Sequence, residues 1–214
     1  MNITRIKQNN NPNFTALHIA RTKSKISNMK EICLDIYKIT PEDYEFLNIL
    51  GKTTDLHKLM PEIKYSEVDV WQELLKIAVI KAKNNGYLAV HNKKPCGLMQ
   101  FTKTDKKYNL DIICTIPTEI NTRVPNVGKS LMSIMFDDFM KSNANRIELA
   151  AVTNAPFNAY IKYTRLGFKQ TGGENGVVSM KLTREKLAET MRTIQKYLKT
   201  EYLNPTKTIN LDNL

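Results

Sequence analysis

The rhythm of apolar and polar residues changes several times along the chain, and each rhythm predicts an element. Residues 1 to 30 carry scattered apolar positions and an Asn run at 9 to 11, the pattern of an arm outside a core. Ile32-Cys33-Leu34-Asp35-Ile36-Tyr37-Lys38-Ile39 then alternates as a strand does. Thr40-Pro41-Glu42-Asp43 reads as a helix start, with Thr40 as N-cap, Pro41 at the first helical position and Tyr44, Leu47 and Leu50 facing inward. A second helix opens at Ser66-Glu67-Val68-Asp69, places Val70, Trp71, Leu74, Leu75, Ala78 and Val79 at helical spacing, and ends near Asn84-Asn85-Gly86. Gly86 to His91 and Cys96 to Phe101 flank the short connection 92–95, and Lys107 to Ile116 follows the polar turn 103–106. Those three runs predict an antiparallel meander.

Beyond it helix and strand alternate. Gly128 to Met140 has Leu131, Met132, Met135, Phe136 and Phe139 on one stripe, Arg146 to Val152 reads as a strand, and Ala155 to Leu166 reads as a helix closed by Gly167. Phe168-Lys169-Gln170 and Val177 to Leu182 form two short strands around Gly172-Gly173-Glu174-Asn175-Gly176. Leu187, Met191, Ile194 and Leu198 recur at helical spacing within 183–202, predicting an added amphipathic helix before a polar tail at 204–214. The sequence shows no internal repeat. The order is β-α-α-β-β-β-α-β-α-β-β, an α/β mixture with a mostly antiparallel sheet and one late crossover.

Composition narrows the classes. The 214 residues are 42% hydrophobic and 25% charged, the make-up of an ordinary globular protein. No window reaches the roughly 18 to 20 apolar residues of a membrane span, and the N-terminus lacks the apolar stretch of a secretory signal, so a cytoplasmic protein without a membrane partner is expected. Cys33, Cys96 and Cys114 are odd in number and widely spaced, which predicts reduced, mostly buried thiols. The net charge of +11 points to an anionic partner. Residues 1–30 hold six bases and no acid, whereas residues 31–182 hold twenty bases and seventeen acids. The excess is therefore concentrated outside a nearly balanced domain, nucleic acid is not expected as its partner, and the cationic arm has no assigned function.

The most informative stretch is Arg123-Val124-Pro125-Asn126-Val127-Gly128-Lys129-Ser130, which runs from the end of the third meander strand into a helix. Backbone N–H groups at a helix N-terminus, with Arg123 and Lys129 beside them, suit a phosphate, although a plain turn with Gly128 at the cap has the same pattern. These residues nearly match a phosphate-binding P-loop ending Gly-Lys-Ser, but Arg123 stands where its first Gly belongs and no metal-binding acid accompanies it.

The element order, the Arg-x-x-Asn-x-Gly loop ahead of a crossover helix, and Asn154 to Phe168 ending Tyr163-Thr164-Arg165-Leu166-Gly167-Phe168 together resemble the GNAT superfamily of acyl-CoA-dependent N-acetyltransferases over about residues 32 to 182. The resemblance implies a mixed, mostly antiparallel twisted sheet flanked by helices, an α/β (α+β) fold with an extra C-terminal helix. It divides the chain into a basic arm (1–30), a GNAT-like acyltransferase domain (31–182) and a C-terminal helix with a polar tail (183–214). Its activity would be acetyl transfer from acetyl-CoA to a primary amine by direct attack in a ternary complex, without a metal. A small-molecule or protein acceptor and a homodimer both remain open.

By the same resemblance, Arg123, Val124, Asn126, Val127, Gly128, Lys129 and Ser130 would hold the pyrophosphate of acetyl-CoA. Asn126 replaces the family's first Gly, a substitution that Asn's tolerance of left-handed backbone makes workable. Ile113, Cys114 and Thr115 lie where the strand would splay from Ile147–Val152 and pair with the pantetheine arm. Asn154 follows the second splayed strand and would also contact the cofactor. Tyr163 would act as general acid toward the departing thiolate, since a phenol can donate to a thiol-derived group of pKa roughly 8.5. Asp111 and Glu119 are candidates for the base that takes the amine's proton. His91 reads as a turn residue, and Cys114 as a packed thiol in preference to an acyl-carrying nucleophile, because no base is placed to activate it. Two rivals stand beside the enzyme: a noncatalytic GNAT-like module that binds acyl-CoA, protein or nucleic acid, and a P-loop nucleotidase.

Overall fold

Pairing of distant segments turns these local rhythms into one sheet. A computed structural model describes residues 14–25, 31–153 and 158–207. In chain order the elements are β1 (Leu17–Ser24), β2 (Ile32–Lys38), α1 (Tyr44–Thr53), α2 (Leu56–Leu59), α3 (Tyr65–Ala82), β3 (Tyr87–His91), β4 (Lys94–Lys103), β5 (Lys107–Thr115), α4 (Val127–Met140), β6 (Arg146–Val152), α5 (Ala159–Arg165), β7 (Lys169–Glu174), β8 (Val177–Thr183), α6 (Arg184–Ile194) and β9 (Leu198–Lys207). The strands join in the order β7-β8-β6-β5-β4-β3-β2-β1-β9. Every neighbouring pair is antiparallel except β5 with β6, which the α4 crossover makes parallel. This is the mixed, mostly antiparallel sheet flanked by helices that the sequence leads one to expect.

Each face of the sheet buries its own core. On one side α4 and α6 cover the strands through Leu131, Met135, Phe136, Phe139, Leu187 and Ile194. On the other, α1 and α3 bring Phe46, Leu47, Leu50, Val68, Trp71, Leu75 and Ala78 onto Tyr37, Leu88 and Leu98. The start of α1 is fixed by Asp43, fully buried, whose carboxylate accepts from the Thr40 N–H and hydroxyl at 2.8 Å and from the Thr15 N–H at 2.6 Å. Tyr44 is only half-buried, and Phe46 takes the inward place expected for it.

Two expectations at the ends of the chain are overturned. Residues 17–24 do not belong to an arm, because they form β1, a strand inside the sheet. The helix expected over 183–202 stops at Ile194, and β9 pairs with β1 from Ser24↔Leu198 to Leu17↔Lys207, so residues 204–207 of the expected polar tail are strand as well. Leu198 continues the helical spacing from Leu187 and equally begins the run Leu198-Lys199-Thr200-Glu201-Tyr202. Pairing with β1 decides between the two, because a strand's backbone groups need a partner that only the opposite end of the chain supplies. Arg184 fastens this addition to the domain: its guanidinium donates to the carbonyls of Phe139 (3.0 Å), Met140 (3.1 Å), Ser142 (2.6 Å) and Ala144 (2.7 Å) at the end of α4.

Candidate active site

The site begins with an irregularity in β5. Opposite β4, Gln100 pairs with Ile112 and Phe101 with Leu110, so Asp111 is an extra residue. Such a bulge bends its strand and inverts the alternation of faces. Tyr108 and Leu110 accordingly belong to the α4-side core before it, while Ile113 takes that side after it and Ile112 and Cys114 turn to the α3 side. Pairing with β6 runs from Lys107↔Arg146 to Leu110↔Leu149 and stops at the bulge. Beyond it β5 stays with β4 and β6 with β8, so a gap opens between two strands that remain in the same sheet.

The alternation of the antiparallel ladder orients the groups along that gap. The Ile116 N–H donates to the Cys96 carbonyl across β4 at 2.8 Å, which turns the backbone groups of Cys114 and Ile112 the same way and those of Ile113 and Thr115 toward the gap. The Thr115 carbonyl is taken by the Trp71 indole N–H at 2.9 Å.

A cleft of about 630 Å³ occupies the gap. Ile113, Cys114 and Thr115 form one wall, α5 contributes Ala159, Lys162, Tyr163 and Arg165, and Arg123 to Lys129 close one end. Trp71 and Leu74 of α3 reach it from the other sheet face. Asn126 has φ 61° and ψ 7°, the left-handed conformation, and its side chain does not cap α4. The first N–H groups of that helix consequently lie at the cleft without intrahelical partners. Gly97 lets the helix start sit this low: a Cβ there would come 2.5 Å from Val127 Cγ1 and 3.2 Å from the Cys114 carbonyl oxygen.

Positive charge gathers around the same helix end. Burial first, and then the charges of Arg123 and Lys129, lower the pKa of Lys162 below the ordinary lysine value. The ammonium of Lys129 lies 4.8 Å over the ring of Tyr197, which also lines the cleft. Burial raises the Tyr163 phenol well above its ordinary value, so it is protonated at neutral pH. The Cys114 thiol is pushed up to about 12 by burial, against a small opposing effect of Trp71, so it is a packed thiol.

Most of the residues singled out from sequence meet here: Ile113, Cys114, Thr115, Arg123, Val124, Asn126, Val127, Gly128, Lys129 and Tyr163 all line the cleft. Ser130 does not. Its hydroxyl is fully buried without a hydrogen-bond partner among the described residues, and its N–H donates to the Asn126 carbonyl at 2.9 Å. That burial also removes the hydroxyl a P-loop would offer to a metal. Glu119 is off the cleft on an exposed turn, bonded to Lys94 at 2.8 Å, and this pairing lowers its pKa. Asp111 is not among the lining residues either: it sits at the bulge, two residues before Ile113, with one carboxylate oxygen bonded to Asn109 and the other buried with no partner among the described residues. Asn154 lies outside the described residues.

Sequence reasoning missed Trp71, Leu74, Lys162, Arg165 and Tyr197 as lining residues. Lys162 and Arg165 were legible as the i−1 and i+2 neighbours of Tyr163 on one short helix, but Tyr197 carries no local signal. Among the described residues no group of three His, Cys, Asp or Glu is placed to hold a metal ion. None of their helices is long and apolar enough to cross a membrane.

No protein-family profile matches the sequence. No curated protein matches it either. Among solved structures, the chain is similar to the PaiA N-acetyltransferase of Thermoplasma acidophilum in complex with coenzyme A, at 15% identity over 70% of this chain and 98% of that one, with a TM-score of 0.47. It is similar to a GNAT-family acetyltransferase of Listeria monocytogenes, at 16% identity over 75% and 99% of the two chains and a TM-score of 0.48. A third is an Arabidopsis thaliana protein in complex with the bisubstrate analogue CoA-Ac-MVNAL, at 15% identity over 70% and 98% and a TM-score of 0.47.

Proposed function

We propose that the chain is an N-acetyltransferase that moves an acetyl group from acetyl-CoA to a primary amine by direct attack in a ternary complex. The observation that carries the reading is a single cleft with an uncapped, cation-flanked helix start at one end and the open edge of a splayed strand along its wall. These features suit the two halves of acetyl-CoA. The α4 N–H groups with Arg123, Lys129 and Lys162 match a pyrophosphate, and the free edge of β5 matches the amide-bearing pantetheine arm, which would pair as an added strand. The donor supplies a thioester.

The chain's own groups supply position, polarisation and a proton route. Ile113 directs its N–H toward the gap and polarises the thioester carbonyl. Asp111 has an unpartnered carboxylate oxygen and takes the proton of the attacking amine, directly or through a water. Tyr163 faces the departing sulfur. A buried phenol is a far weaker acid than a thiol of pKa about 8.5, so complete proton transfer from Tyr163 would be uphill. Tyr163 therefore stabilises the thiolate by donating a hydrogen bond, which narrows the general-acid role expected from sequence. Glu119, held by Lys94 away from the cleft, has no part in this scheme.

Tyr163→Phe should lower turnover on a responsive amine about 10²-fold and leave the Kd for acetyl-CoA within about threefold. Equal loss of both would make Tyr163 structural. Calorimetric titration with acetyl-CoA tests the premise: no binding at millimolar donor refutes the enzyme, and binding without turnover across an amine panel favours the noncatalytic module.

A further inference from the structure

A smaller cavity of about 190 Å³ lies between the end of α5 and helix α6. It shares Arg165, Leu166 and Tyr197 with the larger cleft, so the two cavities adjoin at these residues. Tyr197 is firmly seated. Its N–H donates to the Ile194 carbonyl at 3.1 Å, its carbonyl accepts from the Lys25 N–H at 3.2 Å, and its ring packs on the α4-side core. One face of that ring meets the ammonium of Lys129, beside the helix start that suits a pyrophosphate.

Charge and shape in this smaller cavity differ from what a pyrophosphate alone requires. The helix start already has Arg123, Lys129 and Lys162 around it, and Arg165, which lines both cavities, adds a further cation where they adjoin. Lys186, also lining the smaller cavity, is already paired with Glu189 at 2.5 Å. An apolar floor of Leu166 and Ile194 beside an aromatic ring suits a flat heterocycle, and an arginine at its rim suits a phosphate monoester.

We propose that the C-terminal segment completes the donor site: Tyr197 and the α5–α6 cavity receive the adenosine end of coenzyme A, and Arg165 binds its 3′-phosphate. The inference rests on the acetyl-CoA reading above. It makes donor recognition depend on Tyr197, a residue outside the 31–182 domain, and sets a preference for coenzyme A over its 3′-dephospho form. A bidentate guanidinium–phosphate contact is worth a factor of ten or more in affinity.

Calorimetric titration of the full chain with coenzyme A and with 3′-dephospho-coenzyme A tests this. The wild type should bind coenzyme A at least about tenfold more tightly. Arg165→Ala, a change at an exposed helix end, should bring the two affinities to within about threefold of each other. Arg123→Ala should weaken both compounds and preserve their ratio. Tyr197→Ala should weaken both, with Tyr197→Phe restoring binding, and thermal melts should show each variant folded. Equal wild-type affinities, or a ratio that survives Arg165→Ala, would overturn the subsite and leave the acetyl-CoA reading standing. Failure of coenzyme A to bind at all would overturn both.

Discussion

Replacing Gly97 by Ala tests whether close packing of β4 against the start of α4 sets the donor site. The added Cβ would lie 2.5 Å from Val127 Cγ1 and 3.2 Å from both Leu131 Cδ1 and the Cys114 carbonyl oxygen. Gly97 is not among the positive-φ residues, so Ala meets no backbone penalty there and gains about 0.4–1 kcal/mol through the unfolded chain. Overpacking in a tight interior costs about 1–3 kcal/mol, and Val127, β-branched and 2% exposed at the first turn of α4, has little room to yield. The net expectation is a loss of about 1–2 kcal/mol, with α4 lifted and acetyl-CoA binding weakened. Val127→Ala alone removes two buried methyl groups and costs about 2 kcal/mol. Were the effects independent, the double variant would lose about 3–4 kcal/mol; if the clash is real, removing Val127 Cγ1 relieves it and the loss stays near 2 kcal/mol. Urea denaturation of the four proteins gives the coupling, and calorimetry with acetyl-CoA reports the helix start. Additivity within about 0.5 kcal/mol would refute the packing argument.

Other substitutions address single features of the cleft. Asn126→Gly should preserve acetyl-CoA affinity within about threefold, whereas Asn126→Val, placing a β-branched residue at φ 61°, should cost about 1–2 kcal/mol of stability and weaken binding; calorimetry and melts read both. Cys114→Ala should keep turnover within about tenfold, because its thiol, at about 12, is no nucleophile; a loss of 10³ or more would instead indicate a covalent acyl intermediate. Asp111→Asn should depress turnover on a responsive amine, with Glu119→Gln leaving turnover within about threefold of the wild type. Lys162 has a lowered pKa in the folded chain, so the unfolded chain binds more protons between that value and the ordinary lysine value. Ligand-free stability should therefore rise with pH through this window. An anion restores the Lys162 charge, so acetyl-CoA affinity should fall over the same window, and Lys162→Gln should flatten both trends.

How much of this was legible follows from how local each signal is. The meander, the α4 stripe and the Arg123–Lys129 loop are readable because their periodicity and turn residues act within a few positions. The left-handed Asn126 agrees with the tolerance of Asn for that backbone region. The bulge at Asp111 is not readable, since an extra residue in β5 exists only relative to β4, and it decides which sheet face Ile113 and Cys114 take. The strands β1 and β9 escape for the same reason at longer range: each appears polar and weakly periodic until the other covers its edge. Tyr197 then enters the site because β9 returns to β1, not because of any residue beside it. Asn126 and Ser130 both sit in the loop read as a phosphate cradle, yet helical rotation turns Ser130 into the core.

The charge distribution gives this geometry its direction. The basic count of residues 1–30 is partly used within the sheet, where Arg21 pairs with Asp35 at 2.7 Å. The cleft is different: Arg123, Lys129, Lys162 and Arg165 line it, and no acid is among its described lining residues. Burial first, and then repulsion from Arg123 and Lys129, lowers the pKa of Lys162. Such an arrangement lowers the stability of the empty chain. An anion at the α4 N-terminus recovers that loss, because it is met by cations and helix N–H groups at once. The same occupant must also follow the open edge of β5 into the gap, which a small inorganic anion cannot do. Charge at one end and an unpaired strand along the wall therefore select together for an extended molecule with a polyanionic head and an amide-bearing arm.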